Sequence, residues 1–312
     1  MTSRQALIVG INQYPQLNSL RLPATDAEAI AQLLNTQGEF RITRLPEIVK
    51  DGQVMIGGNS QVTTAQLKKA LMQLFKPDSV QIPDVALFYF SGHGVRDSDG
   101  LDDGYLATSD TNLTNVWGLS LNWLRRLLQE SPIKTQIVWL DCCYSGALIN
   151  LKEAGPNDAG LARSRCFIAA SRAYEVAYEE IAGHNGVLTN VLLQGLDCRH
   201  KDSVNNLELT AFINQQLKTT TQAPVALNLG DAIALTFNRK QSTETTVVNL
   251  HNAPCQYKGL FYFDCNDADA QNFYGRENLI NELVAKISKD NFIAVLGASG
   301  SGKSSVVRAG LL

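Results

Sequence analysis

An α/β fold, with a mostly parallel sheet sandwiched between helices, is predicted by three observations. Short apolar runs alternate with segments of helical period along most of the chain. The runs, such as Ala86–Phe90, are almost continuously apolar, as strands covered on both faces must be. The helical segments carry start signals and one apolar face each, so they suit the layers that cover such a sheet.

The elements follow in order. Ala6–Ile11 reads as a buried strand. Thr25-Asp-Ala-Glu28 has the form of a capping box and predicts a helix carrying Ile30, Leu33 and Leu34. Phe40–Leu45 reads as a second strand. Thr63-Thr-Ala-Gln66 is another capping box, and the helix behind it places Leu67, Leu71, Leu74 and Phe75 on one face. Asp84–Phe90 is a strand, Ser120–Leu128 a helix with Leu121, Leu124 and Leu128 in line, and Gln136–Leu140 and Cys166–Ala170 are strands. Helices are expected near Gly186–Leu196 and Leu209–Leu217, and a last strand at Ala232–Phe237. Beyond it Asn238–Thr246 is polar and reads as a linker, followed by a helix at Glu277–Ile287 and a strand at Phe292–Leu296. The expected organisation is a first domain over residues 1–238, a linker over 239–256 and the start of a second domain over 257–312.

Composition narrows the function. With 27 basic and 30 acidic residues the net charge is −3, so no basic excess points to nucleic acid and no basic amphipathic stretch to a membrane surface. The apolar runs are too short to span a bilayer, and no secretory signal is read at the N-terminus. The 6 cysteines show no CxxC or zinc-finger spacing and do not form a disulfide framework. A reducing cytoplasmic setting is expected, in which a nucleophilic thiol survives.

In an open parallel sheet, chemistry gathers at the carboxyl ends of the strands. Two strands here end in reactive groups. One runs into Ser91-Gly-His-Gly94 and the other into Asp141-Cys-Cys-Tyr-Ser-Gly146. A thiol nucleophile needs an imidazole to move protons and backbone N–H donors to hold an oxyanion. Glycine at 94 and 146 lets the backbone come close to a substrate. His93 precedes Cys143 by 50 residues, close to the His-to-Cys interval of caspases.

The paired motifs resemble the metacaspase and orthocaspase branch of the caspase-like cysteine peptidases (peptidase C14). There they read Ser-Gly-His-Gly and Asp-x-Cys-x-Ser-Gly, and the resemblance extends over residues 5–237. Gly10-Ile-Asn-x-Tyr14, the stretch from Leu22 to Asp26-Ala27 and Asp99-Gly-Leu-Asp-Asp103 through Asp110 agree with it. The resemblance implies a caspase-like fold and an endopeptidase in which Cys143 is the nucleophile and His93 the general acid/base. Gly94 and Cys143 would supply oxyanion-hole N–H groups. It implies a primary pocket formed by Asp26, Asp141 and Ser91. Two carboxylates facing one slot favour a guanidinium or ammonium, so cleavage after Arg or Lys is expected in protein or peptide substrates.

Two positions depart from the family: Pro23 stands where cysteine is common, and Tyr144 where histidine is frequent. Of the two adjacent thiols, Cys142 is expected to point into the core, because neighbouring strand residues face opposite sides. His184, His200 and His251 carry no motif. Catalysis is expected to need no cofactor. The acidic residues Asp97, Asp99, Asp102, Asp103 and Asp110 read either as a calcium loop, with Asp99, Asp102 and Asp103 as ligands, or as a solvated loop. The polar segment from Leu151 to Arg165 contains Lys152, Arg163 and Arg165, and self-cleavage after a basic residue is expected there.

Gly297-Ala-Ser-Gly-Ser-Gly-Lys-Ser304 fits the P-loop pattern, between an expected strand and an expected helix. Gly297 and Gly302 would shape the phosphate cradle, Lys303 would reach the terminal phosphates and Ser304 would hold magnesium. With Tyr257-Lys-Gly-Leu260 and Phe273-Tyr-Gly-Arg-Glu277 it resembles the entry to a STAND-class signalling NTPase. The motif lies so near Leu312 that a longer protein is expected. Only such a form would use ATP and magnesium, and it would oligomerise through the NTPase to switch the protease. The alternative is a catalytically silent caspase-like module used for assembly.

Overall fold

The computed structural model describes residues 2–78, 82–96, 104–143, 145–149, 163–170, 185–199, 201–218, 224–238, 276–289, 292–296 and 303–311. The chain forms two compact units, Met1–Glu244 and Thr245–Leu312.

The first unit is built on a six-stranded sheet of order β12-β10-β9-β5-β1-β2. Its strands are β1 (Arg4–Gly10), β2 (Arg41–Leu45), β5 (Val85–Ser91), β9 (Thr135–Asp141), β10 (Ser164–Ala169) and β12 (Val225–Leu229). All pairings are parallel except that of β12, which runs antiparallel on β10. Alternate residues of the same strands feed two separate cores. Ile8, Leu87, Tyr89, Ile137 and Trp139 pack with helices α1 (Pro23–Gln37), α4 (Val187–Leu196) and α5 (Asn206–Gln216). Leu7, Val9, Phe88, Phe90, Val138 and Leu140 pack with α2 (Thr64–Phe75) and α3 (Leu121–Glu130). Burial on both faces accounts for the continuous apolar runs; each buried Leu, Ile, Val or Phe contributes about 1.5–3 kcal/mol.

The predicted helix starts divide. Thr63 caps α2 as expected: it accepts the Gln66 N–H, and the Gln66 side chain returns to the Thr63 N–H. The neighbouring Thr64 N–H is taken by Asp110 at 2.9 Å. Thr25, by contrast, caps nothing. Helix α1 already begins at Pro23, and its Ala24 N–H donates to Asn12 Oδ1 at 2.9 Å, a cap supplied from the loop after β1. Glu28 is committed elsewhere, accepting from Arg44 Nε and from the Ile56 N–H, both at 3.0 Å.

Other expectations need correction. The expected strand Ala232–Phe237 is the shorter β13 (Ala234–Phe237), and it lies outside the main sheet, paired with β11 (Ser203–Asn205). The edge of the main sheet is occupied instead by β12. A hairpin of β3 (Glu47–Lys50) and β4 (Gln53–Ile56) turns at Asp51-Gly52, where φ is 51° and 75°. That turn needs two residues in the left-handed region, which Asp-Gly provides. A small sheet joins β6 (Gly94–Arg96), β7 (Gly104–Leu106) and β8 (Leu119–Ser120).

In the second unit α6 (Glu277–Ile287) matches its expected range, and α7 (Lys303–Leu311) begins on the last two residues of the P-loop motif. Residues 292–296 do not form the expected strand. A strand needs a ladder partner, and no described strand lies in this unit; Phe292 and Leu296 are exposed.

Candidate active site

The register between β5 and β9 sets the site. The strands pair from Val85↔Thr135 to Ser91↔Asp141, a constant offset of 50 residues. His93 and Cys143 have that same offset, so each lies two residues past the last matched pair, at the same carboxyl end of the sheet. The sequence interval is thus the sheet register carried past the strand ends. Gly94 packs directly on the Cys143 backbone: a Cβ at Gly94 would stand 1.8 Å from the Cys143 carbonyl oxygen and 3.2 Å from its nitrogen. Only glycine permits this approach.

The loop after β1 holds the imidazole. The His93 N–H donates to the Tyr14 hydroxyl at 2.9 Å, and the two rings lie 4.7 Å apart between centroids. His93 Nε2 is 2.7 Å from the carbonyl oxygen of Asn18. A carbonyl can only accept, so Nε2 carries a proton and the lone pair of the neutral ring lies on Nδ1. Burial pushes the Tyr14 phenol far above its ordinary value, so it stays a neutral hydroxyl. The sequence marked Tyr14 only as part of a family motif, and Asn18 not at all: a backbone carbonyl leaves no trace in residue type.

The two cysteines have opposite surroundings. Cys142 is buried in the core beneath α2 and α3, and burial, reinforced by the charges of Cys143 and Asp141, drives its thiol well above its ordinary value. Cys143 is half-buried. The buried Ser145 hydroxyl donates to the Cys142 carbonyl at 2.8 Å and tightens the turn that follows the strand.

Asp26 and Asp141 do converge. Asp26, on the first turn of α1, is 2% exposed and accepts the Gly186 N–H at 3.1 Å. Asp141, the last residue of β9, accepts from the Thr189 N–H at 3.2 Å and from the Thr189 hydroxyl at 2.6 Å. A Cβ placed on Gly186 would lie 3.1 Å from one Asp26 oxygen and 3.2 Å from one Asp141 oxygen, so both carboxylates border the same point. Tyr89 lies beneath them. Burial first, then the charges of Asp141 and Asp26, push its phenol far up, while hydrogen bonds with Thr189 and Ser91 oppose this. Ser91 therefore belongs to the same cluster. Gly186 and Thr189 were not singled out from sequence, because their role depends on where the start of α4 docks.

Several expected residues lie outside the described set: Asp97, Asp99, Asp102 and Asp103, Tyr144, His184, His200, His251, Gly297, Gly302, the segments 257–260 and 273–275, and all of 151–162. Among the described residues, no group of three or more His, Cys, Asp or Glu side chains could hold a metal ion. Asp110 binds Thr64 and Thr108, the latter at 2.6 Å. Lys303 and Ser304 open α7, half-buried and exposed respectively. No helix among the described residues is long and apolar enough to cross a membrane.

These features define an α/β protein with His- and Cys-bearing strand ends, and comparison with known proteins gives its family. The family model described as Caspase domain matches residues 3–252, and the one described as Novel STAND NTPase 1 matches residues 256–312. The chain belongs to the caspase-domain family and continues into a STAND-type segment. Among solved structures, protein GSU0716 from Geobacter sulfurreducens is similar in fold, with 18% identity, a TM-score of 0.51, and coverage of 73% of this chain and 94% of its own. Caspase-1 from Spodoptera frugiperda aligns with 14% identity, a TM-score of 0.48, and coverage of 73% and 88%. Comparison with curated proteins gives no match.

Proposed function

We propose that this chain is a cysteine endopeptidase that cleaves peptide bonds after Arg or Lys, with Cys143 as nucleophile and His93 as general acid/base. The observation that carries the reading is the shared register: His93 and Cys143 each lie two residues past the paired ends of β5 and β9, with Gly94 against the Cys143 backbone. The Cys143 thiolate attacks the scissile carbonyl carbon, forming a C–S bond, and the oxyanion is held by the N–H groups of Gly94 and Cys143. The imidazolium of His93 gives a proton to the leaving amine as the C–N bond breaks. The neutral ring then takes a proton from the water that hydrolyses the thioester, and the thiolate is released. With Nε2 on Asn18, Nδ1 is the nitrogen that exchanges these protons.

The meeting of Asp26 and Asp141, beside Ser91, supports a basic residue before the scissile bond. Aspartate there would face two like charges. The test is turnover of fluorogenic peptides carrying Arg, Lys or Asp at that position, with and without calcium, beside Cys143→Ala. Cleavage of the Arg and Lys peptides, lost in the variant, is the expected result. Preference for Asp would overturn the pocket, and absence of turnover under every condition would favour a non-catalytic caspase-like assembly module.

A further inference from the structure

The first turn of α4 touches both pocket carboxylates through residues the mechanism does not use. Gly186 gives its N–H to Asp26, and its missing Cβ leaves open the point that borders Asp26 and Asp141 at 3.1 and 3.2 Å. Three residues on, Thr189 binds one Asp141 oxygen twice, through its N–H and its hydroxyl. A carboxylate accepts only, so the single hydroxyl proton of Thr189 goes to Asp141. The Tyr89 hydroxyl, 2.6 Å from Thr189 Oγ1, must then be the donor in that contact. Tyr89 and Thr189 are both fully buried, so this chain of hydrogen bonds has no water to replace a lost member. Its direction, from Tyr89 through Thr189 to Asp141, fixes the carboxylate against rotation.

We infer that Gly186 and Thr189 are specificity-determining residues: Thr189, oriented by Tyr89, aims the Asp141 carboxylate at the slot it shares with Asp26, and Gly186 keeps that slot wide enough for a basic side chain. This rests on the Arg/Lys reading above and adds what sets the width and aim of the pocket. A guanidinium is planar and broader than an ammonium. A methyl group at position 186 therefore excludes Arg more strongly than Lys.

The test uses the full chain and peptides with Arg, Lys or the neutral glutamine before the scissile bond, with kcat and KM measured separately. The wild type comes first: no preference for Arg and Lys over glutamine overturns the Arg/Lys reading and this inference with it. Given that preference, Thr189→Val is expected to raise KM for both basic peptides by about tenfold, with kcat changed far less, since it removes binding rather than chemistry. Thr189→Ser keeps the hydroxyl and is expected to restore the wild-type KM. Gly186→Ala is expected to lower the Arg-to-Lys ratio of kcat/KM by about tenfold, the scale of a single lost charged hydrogen bond. Unchanged KM values in Thr189→Val together with an unchanged ratio in Gly186→Ala would overturn the inference. So would an equal loss of kcat for all three peptides in Thr189→Val that Thr189→Ser does not rescue, because that marks a purely structural role. Should Gly186→Ala fail to fold, the Val and Ser variants at 189 decide alone.

Discussion

Cys142 and Cys143 are sequence neighbours with unlike burial, the first enclosed in the core and the second half-buried. Alternation along β9 sends Leu140 and Cys142 into the core under α2 and α3, and Asp141 to the face that carries α1 and α4. A thiol reacts as its thiolate, and burial keeps Cys142 protonated at neutral pH. Brief treatment of the native chain with iodoacetamide is therefore expected to alkylate Cys143 and leave Cys142 unmodified, as read by peptide mass. Cys142→Ala is expected to cost about 1–2 kcal/mol of stability while keeping peptide turnover. Alkylation centred on Cys142, or loss of turnover in a folded Cys142→Ala, would reverse the assignment. The burial of Cys142 was readable in the sequence, because strand alternation sends that residue to the core. The positions of Tyr14 and Asn18 were not, because they depend on how one loop closes over His93.

At the scale of elements, local signals succeeded where the chemistry is local. The capping box at Thr63 and the apolar face of α2 are complete within one stretch of sequence. The start of α1 was misplaced because its cap comes from Asn12 and its first turn is set by Pro23, whose fixed φ suits that position. Asp110 carries the same lesson. It serves α2 from 46 residues away. Burial pushes its carboxyl up, but hydrogen bonds from the Thr108 hydroxyl and from the Thr64 N–H and hydroxyl outweigh this, and it titrates below its ordinary value. A lowered native value means that the folded state binds fewer protons in acid. The stabilisation is thus full above the unfolded value near 4 and is lost as the pH falls through the native one. Asp110→Asn is expected to cost about 1 kcal/mol at pH 7, the small end for a charged hydrogen bond because the carboxylate is partly solvated. In urea denaturation the gap to wild type should close below about pH 4. A gap of the same size at both pH values would show that charge plays no part.

At the scale of the whole molecule, the parallel sheet and its two coverings were legible because continuous apolar strands and amphipathic helices dictate them. The antiparallel β12 at the sheet edge, paired Cys166↔Asn228 and Phe167↔Leu227, was missed. An edge strand is only partly buried and lacks a continuous apolar signature. The small sheet β6-β7-β8 escaped because strands of 3, 3 and 2 residues show no measurable period. The candidate site was legible in part: the His and Cys motifs carried it, and the register of β5 on β9 explains why their spacing is informative. The proposed pocket joins α1, β9 and α4, segments up to 160 residues apart, and for Gly186 and Thr189 only the folded chain brings that out. The proposed nucleophile and its basic specificity are tested together by the intact mass of the chain after exposure to a peptidyl chloromethyl ketone ending in arginine. A thiolate displaces the chloride and forms a thioether. One adduct is expected, mapped to Cys143, slowed at least about a hundredfold in His93→Ala, and none within the same time from the aspartyl analogue. An adduct on Cys142, or labelling by the aspartyl reagent as fast as by the arginyl one, would contradict it.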